Sequence, residues 1–175
     1  GPPGAGKSTI LEIIISYLIS VKHIHAKSTF NLAPTGLAAK NLKDCKGEYM
    51  TIHKYIYQCK NEKNKEEAES GYESDTTSEL GEVDSVYESD TTSEDFSDNN
   101  YINMINIDES SMIATRLFVE FMDAIKDKDC RLIMIGDTNQ LPPIGPGKPF
   151  HDIIKSGIFK MTNLKEIVRS QDAPI

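Results

Sequence analysis

The chain opens on a complete phosphate-binding loop, Gly-Pro-Pro-Gly-Ala-Gly-Lys-Ser, which matches the pattern G-x-x-x-x-G-K-[ST]. The glycines allow a tight turn whose backbone N–H groups point at a phosphate. The pattern predicts that Lys7 reaches the β- and γ-phosphates and that the Ser8 hydroxyl binds Mg²⁺. The apolar run at residues 10–17 predicts a helix, whose positive amino end would face the phosphate. A nucleoside triphosphate site is therefore expected, formed by Gly1, Pro2, Pro3, Gly4, Ala5, Gly6, Lys7, Ser8 and Thr9.

A phosphate loop ordinarily follows a buried parallel strand, so we expect such a strand upstream of Gly1 and take the 175 residues as a fragment. No secretory leader and no run of about 18 apolar residues is present, which predicts an intracellular protein, cytoplasmic or nuclear, without a membrane partner. The three cysteines have neither C-x-x-C spacing nor an even number, which is typical of reduced structural thiols.

Negative charge is concentrated in residues 61–100, which hold 14 acidic side chains and two lysines, although the whole chain carries only −8. The remainder is mildly basic, which is compatible with a nucleic-acid backbone as partner. A ten-residue pattern at 70–79 returns at 85–94, and the segment is too poor in apolar residues to offset its ordering entropy. We predict a disordered insertion in one domain. It is either a solvated loop without a task or a regulatory segment for an acid-directed kinase.

Outside this segment, short apolar runs alternate with helical patterns. Strands are predicted at residues 28–33, 101–107, 131–135 and 158–164. Helices are predicted at 36–44, at 116–126 with Thr115 as N-cap, and at 149–156 with Gly157 as terminator. Alternation of this kind predicts an α/β domain with a mostly parallel sheet and helices on both faces.

Two further sites carry chemistry. The apolar run at 105–107 ends in Asp108 and Glu109, which places both carboxylates at the carboxyl edge of the sheet, where open α/β sheets bind ligands. Asp108 would bind Mg²⁺, and Glu109 would orient and deprotonate the attacking water. Gln140 follows the strand at 131–135 on a loop stiffened by three prolines, a suitable place to sense the γ-phosphate.

Six blocks of the chain follow one another in the order found in superfamily-1 helicases. They are residues 1–9, Ala-Pro-Thr-Gly-Leu-Ala-Ala at 33–39, Thr-Ile-His at 51–53, Asp-Glu-Ser-Ser-Met at 108–112, residues 136–147, and Leu-Lys-Glu-Ile-Val-Arg at 164–169. The set resembles the first RecA-like domain of the RecD-like branch, with the PIF-type helicases as near relatives. It covers the chain except residues 61–100, and it differs from nucleotide kinases and signalling GTPases, which lack such a set.

This resemblance implies ATP and Mg²⁺ as cofactors and assigns several roles. Lys7, Ser8, Asp108 and Glu109 match the positions argued above, and Gln140 resembles the residue that links the γ-phosphate to the DNA track. Arg169 resembles the arginine that stabilises charge on the transferred phosphoryl group; the alternative is a surface arginine. The blocks that contact single-stranded DNA in such helicases correspond to Pro34, Thr35, Gly36, Thr51 and His53. For Thr51 and His53, a helix cap and an ordinary half-buried histidine remain the alternative.

The resemblance implies a motor that moves 5′-to-3′ on single-stranded DNA, together with a second RecA-like domain that this chain lacks. Residues 61–100 occupy the place where relatives carry a small strand-separating hairpin, and their negative charge should be repelled by a DNA fork. Two alternatives stay open: a superfamily-1 RNA helicase and an ATP-gated nucleic-acid clamp that does not unwind. The Lys7, Glu109 and Arg169 set argues against the clamp, because a clamp needs no general base.

Overall fold

A computed structural model describes residues 1–2, 4–70 and 103–165, with side chains described up to residue 65 in the first long stretch. Four strands and five α-helices alternate along this part of the chain. The strands are β1 (Thr29–Ala33), β2 (Glu48–Thr51), β3 (Asn103–Ile107) and β4 (Cys130–Met134). The helices are α1 (Lys7–Ser20), α2 (Gly36–Lys40), α3 (Ile52–Ser70), α4 (Thr115–Ile125) and α5 (Pro149–Ser156), and 3₁₀ turns lie at Ala26–Ser28 and Ser110–Met112.

The four strands form one parallel sheet in the order β2-β1-β3-β4. Leu32 on β1 lies opposite Ile107 on β3, which in turn lies opposite Met134 on β4, so the strands end at a common level. Because every strand points the same way, the segments that follow them all meet at the carboxyl edge of the sheet. The predicted α/β, RecA-like fold class is confirmed.

Helices cover both faces of the sheet, as the sequence predicts. On one face, α3 and α4 pack against the strands through a core that includes Ile105, Ile107 and Phe121. Tyr55 of α3 bridges this core, with its ring centroid 5.1 Å from Phe30 and 6.2 Å from Phe121. On the other face, a second core joins α1 and α2 to the sheet. Its buried members are Leu11, Ile15, Ile24, Ala33, Ala39, Leu42, Cys45 and Met104.

The predicted strand at residues 158–164 is wrong. These residues are irregular and largely exposed, with Ile158 80% and Phe159 65% accessible. A strand needs a neighbour to accept its backbone hydrogen bonds, and β4, the last strand of the described sheet, does not pair with this segment. The segment instead runs back beside the phosphate loop, where a Cβ on Gly1 would meet the Leu164 carbonyl oxygen at 2.6 Å.

Helix α3 begins nine residues before the predicted insertion, at Ile52, and includes the first ten residues of it, to Ser70. Two ion pairs explain why the helix continues through the first charged residues of the segment. Glu62 pairs with Lys128 at 3.1 Å and Lys63 with Asp127 at 2.7 Å, which joins α3 to the turn before β4. Residues 61–70, predicted as part of a disordered insertion, are therefore helical, and residues 71–100 lie outside the described residues.

Two helix boundaries also differ from the prediction. Helix α2 ends at Lys40 rather than at residue 44, because the backbone tightens there and Leu42 donates to the Ala39 carbonyl. Thr115 is the first residue of α4 and not its N-cap, since its N–H donates to the Pro146 carbonyl at 3.1 Å. A backbone carbonyl of the proline-rich loop thus accepts the hydrogen bond of a free N–H at the start of α4, where a side-chain cap was expected. Gly157 ends α5 in the left-handed conformation, as predicted.

Within the described part of the chain, no helix is long and apolar enough to cross a membrane. All three cysteines are free thiols, and Cys45 and Cys59 are buried.

Candidate nucleotide-binding and catalytic site

The phosphate loop has the tight geometry that its glycines predict. Gly4 and Gly6 have φ angles of 78° and 75°, a region that side chains with a Cβ rarely adopt. Gly6 caps α1, and its carbonyl accepts a hydrogen bond from Ile10 at 2.9 Å. The Lys7 ammonium donates to the carbonyl oxygens of Gly1 and Pro2, both at 2.9 Å. The lysine is therefore held inside the loop that would surround a phosphate group.

Ser8 and Asp108 lie together although 100 residues separate them in the chain. The Ser8 hydroxyl donates to Asp108 Oδ2 at 3.3 Å, and Asp108 Oδ1 accepts from the Glu109 backbone N–H at 2.9 Å. A hydroxyl and a carboxylate are the hard oxygen ligands that Mg²⁺ prefers. Among the described residues no group of three His, Cys, Asp or Glu could hold a metal. These two residues fit a Mg²⁺ ion whose remaining ligands are phosphate oxygens and water, as is usual for this ion.

Glu109 has an unusual backbone and an unusual electrostatic environment. Its φ of 52° and ψ of 38° place it in the left-handed region, which is uncommon for a residue with a Cβ. The turn is held by Ser110, whose N–H donates to Ile135 at 2.7 Å and whose hydroxyl donates to Ile107 at 2.9 Å. Backbone strain that neighbouring contacts maintain is frequent at functional sites.

Burial raises the pKa of Glu109 above its ordinary value of 4.5, and the charges of Asp108 and Asp137 raise it further. The nearby Lys7 ammonium and a hydrogen bond with the Gln140 side chain lower the pKa in opposition. One carboxylate oxygen, Oε2, is buried without a hydrogen-bond partner. Raising the pKa of a carboxylate makes it a stronger base, which suits a group that removes a proton from water.

The loop after β4 brings Gln140 to the same place. Asp137 is 2% accessible, and its carboxylate accepts from the Asn139 N–H at 3.0 Å. The Gln140 N–H donates to the Asp137 carbonyl at 3.2 Å, which closes a turn at residues 137–140. The structure therefore joins Lys7, Ser8, Asp108, Glu109 and Gln140 into one site at the ends of β3 and β4.

The residues assigned to nucleic acid lie at the ends of the other two strands. Pro34, Thr35 and Gly36 follow β1, while Thr51 and His53 lie where β2 passes into α3. Because Ala33 is in register with Thr51, the two groups are neighbours along the same edge. Thr35 accepts from the Ala38 N–H at 3.2 Å and Thr51 from the Lys54 N–H at 3.3 Å, so each hydroxyl caps a helix. His53 is exposed rather than half-buried.

Arg169 and Pro3 lie outside the described residues, so their predicted roles stay predictions. Sequence reasoning missed Asp137, the buried carboxylate that acts on Glu109, and Ser110, which holds the Glu109 turn. Asp137 stands in the block at 136–147, where its position just after a buried strand could have marked it. Nothing in the pattern around Ser110 indicates that it bridges two strands.

Comparison with known proteins places these features in a family. Residues 1–175 match the family model AAA_30, described as an AAA domain. The chain is 33% identical over 161 residues to the uncharacterised protein MJ1519 of Methanocaldococcus jannaschii, a match that covers 87% of this chain and 12% of that protein. The family match and the parallel sheet agree with the superfamily-1 RecA-like domain indicated by the motifs. The RecD-like branch stays a prediction.

Two solved structures are similar over 90% of this chain. Bacteroides Pif1 bound to ssDNA has a TM-score of 0.44 and 21% identity, with 32% of that chain covered. Bacteroides sp Pif1 in complex with ADP-AlF4 has a TM-score of 0.43 and 22% identity, with 31% covered. The chain thus spans about a third of these structures and 12% of the archaeal relative.

Proposed function

The chain belongs to the AAA domain family that its whole length matches, and on that premise we propose that it is the ATP-hydrolysing motor domain of a DNA helicase. The observation that carries the proposal is the hydrogen bond from the Ser8 hydroxyl to Asp108 Oδ2, at 3.3 Å. That contact joins the phosphate loop to the carboxylate pair, and a nucleotide phosphate with its Mg²⁺ needs both.

The residues of the site divide the work of phosphoryl transfer. The loop N–H groups and the Lys7 ammonium bind the β- and γ-phosphates, and Ser8 and Asp108 hold the Mg²⁺ ion, which neutralises phosphate charge when bound. Glu109 accepts a proton from water as the water oxygen attacks the γ-phosphorus, and the bond to the β-phosphate oxygen breaks. The buried, unpartnered Glu109 Oε2 is available to accept that proton. Gln140, whose side chain acts on the pKa of Glu109, is placed to respond to loss of the γ-phosphate.

Nucleic acid would lie along the β1 and β2 end of the same edge. Backbone N–H groups and hydroxyls at Thr35, Gly36 and Thr51 are of the kind that grip single-strand phosphates without reading sequence. In the sheet, β1 lies between β2 and β3. The residues proposed to contact DNA, at the ends of β1 and β2, are therefore next to the catalytic carboxylates at the end of β3. Movement along the strand requires a second RecA-like domain, and the 5′-to-3′ direction follows from the family resemblance.

The test is ATP hydrolysis by the full-length protein with single-stranded DNA, single-stranded RNA or neither. We expect DNA to stimulate turnover and Lys7→Ala to lower both nucleotide affinity and turnover, because the lysine contacts phosphate in the ground state. Lys43→Ala, an exposed lysine after α2, is the matched control. Stimulation by RNA alone would favour an RNA helicase, and tight nucleotide binding without turnover would favour the clamp.

A further inference from the structure

Helix α5 packs against both of the turns that carry the catalytic side chains. Phe150 is buried against Gly136, where an added Cβ would lie 2.9 Å from the Phe150 ring and 3.0 Å from the Ser111 N–H nitrogen. The helix therefore touches the 3₁₀ turn after Glu109 and the start of the Gln140 loop at one point. None of its residues is among the site residues predicted from the sequence.

The turn that carries Gln140 is fixed within itself by two local hydrogen bonds. The Asp137 carboxylate accepts from Asn139, and the Asp137 carbonyl accepts from Gln140. These bonds set the shape of residues 137–140 but not the position of the turn relative to the rest of the site. A third contact reaches it from α5, between His151 Nε2 and the Thr138 carbonyl oxygen at 3.1 Å.

The acceptor in this contact determines the form of the histidine. A carbonyl oxygen only accepts, so Nε2 must carry the proton and donate it. The other ring nitrogen, Nδ1, is buried without a hydrogen-bond partner among the described residues. The His151 ring also lies edge-on to Phe150, with centroids 6.3 Å apart, so the ring is held by packing as well.

We propose that His151 is a positioning residue that holds the Gln140 turn against Glu109 through the Thr138 carbonyl. Loss of the contact leaves the turn intact but free to shift as a unit, which separates the Gln140 amide from the Glu109 carboxylate. Displacements of about 1 Å at a reacting centre are costly in rate. The inference rests on the proposed function, because it assigns His151 a role through Gln140 and Glu109.

Two amide substitutions distinguish the contact from general packing. In His151→Gln the amide nitrogen stands three bonds from Cβ, as Nε2 does, whereas in His151→Asn it stands two bonds away, as Nδ1 does. In the full-length protein we expect His151→Gln to keep the turnover number. His151→Asn should lower it about three- to tenfold, the range for one lost hydrogen bond, with KM for ATP nearly unchanged. Asp152→Asn, exposed and adjacent on α5, is the control.

A double-mutant cycle with Gln140→Ala tests whether His151 acts through Gln140. If it does, His151→Asn should have little further effect once Gln140 is removed. Additive losses, equal losses in His151→Gln and His151→Asn, or an unimpaired His151→Asn would each overturn the inference. If His151→Asn does not fold, as judged by thermal unfolding, His151→Phe keeps the ring without the donor and takes its place. Wild-type protein without nucleic-acid-stimulated turnover would instead refute the proposed function.

Discussion

The two edges of the sheet differ in how they are built. At the carboxyl edge, short turns leave β1, β3 and β4, and side chains such as Asp108 and Asp137 are held by hydrogen bonds within their own turn, in addition to the long-range contact of Asp108 with Ser8. At the amino edge, the structure is made by contacts between distant segments. Glu62 and Lys63 of α3 pair with Lys128 and Asp127, more than 60 residues away.

The elements on either side of the acidic segment, α3 and β3, both have described contacts at the amino edge of the sheet. Helix α3 starts at the carboxyl edge after β2 and reaches residues 127–128, just before β4, by its Glu62–Lys63 turn. Strand β3 starts at the same edge, where Asn103 lies opposite Cys130. The Glu62–Lys63 turn of α3 and the start of β3 are therefore both at the amino edge, and the residues between α3 and β3, 71–102, lie outside the described residues. Where residues 71–102 lie relative to bound DNA stays a prediction, because they are outside the described residues.

The largest effect is expected at Arg169, which tests whether the carboxyl edge extends to a residue outside the described chain. An arginine that stabilises transition-state charge is worth about 10³–10⁵-fold in phosphoryl transfer. Arg169→Ala in the full-length protein should lower turnover by that order and leave nucleotide affinity nearly unchanged. Steady-state kinetics and equilibrium binding of a fluorescent ATP analogue separate the two quantities.

Arg116→Ala is the matched control, because Arg116 is exposed and forms an ion pair with Glu120 on its own helix. An Arg169→Ala protein that binds nucleotide weakly but turns over normally at saturation would assign the residue to ground-state binding. No change in either quantity would make it a surface arginine.

The same substitution at the two edges, Glu109→Gln and Glu62→Gln, allows their effects on ATP turnover to be compared directly. The amide at 109 cannot accept the proton of the attacking water, so turnover should fall about 10²–10⁴-fold while ATP still binds. The same change at Glu62 removes one exposed ion pair at the opposite edge and should leave turnover unchanged. ATPase assays on both full-length variants measure the contrast. Wild-type turnover by Glu109→Gln would show that the base is assigned wrongly.

Sequence reasoning placed the site where local chemistry determines it. The Asp108–Glu109 pair and Gln140 lie together because each follows a strand of one parallel sheet, and the phosphate loop meets them through the hydrogen bond from Ser8 to Asp108. The same reasoning did not predict β2, and it missed α3 because the charged residues at 60–70 look like a solvated segment until Lys128 and Asp127 are in place. It also predicted a strand at 158–164, where apolar composition favours a strand but the described sheet does not pair with it. His151 could not be found from its sequence, because its partner is a backbone carbonyl.

Deleting residues 71–102 and joining the ends with a Gly/Ser linker tests whether the acidic segment affects the fold or single-strand binding. This deletion keeps α3 and both of its ion pairs, unlike removal of residues 61–100, so the fold should be retained. The segment still carries acidic charge that repels phosphate, so single-strand binding should tighten somewhat at low salt. The gain should vanish at physiological salt, where charges are screened within about 8 Å. Fluorescent oligonucleotide titrations at two salt concentrations measure both effects.

A version with every acidic residue of the segment changed to Asn or Gln separates charge from bulk and should match the deletion. Weaker binding after deletion would mean that the segment contributes to the DNA site. A gain that persists at high salt would mean that the segment competes with the DNA strand by close contact rather than by long-range repulsion.

The smallest effect is expected for the Lys63–Asp127 pair, which tests whether α3 is held at the amino edge by charge. A hydrogen bond from Lys63 is the main cause that lowers the pKa of Asp127 below its ordinary value of 3.8. A carboxylate with a lowered pKa in the folded state stabilises the fold above its unfolded pKa, and that stability is lost as the pH falls through the folded value. Lys63→Gln should therefore shift the urea midpoint slightly downward at neutral pH and not at all well below pH 3.8. The shift should be small because both side chains are exposed, and high salt should reduce it further.

Lys65→Gln removes the same charge two residues along α3 and controls for net charge. Equal shifts in the two variants would mean that the pair itself contributes nothing, and that the continuation of α3 to Ser70 depends on its helix-forming composition rather than on contact with the turn before β4.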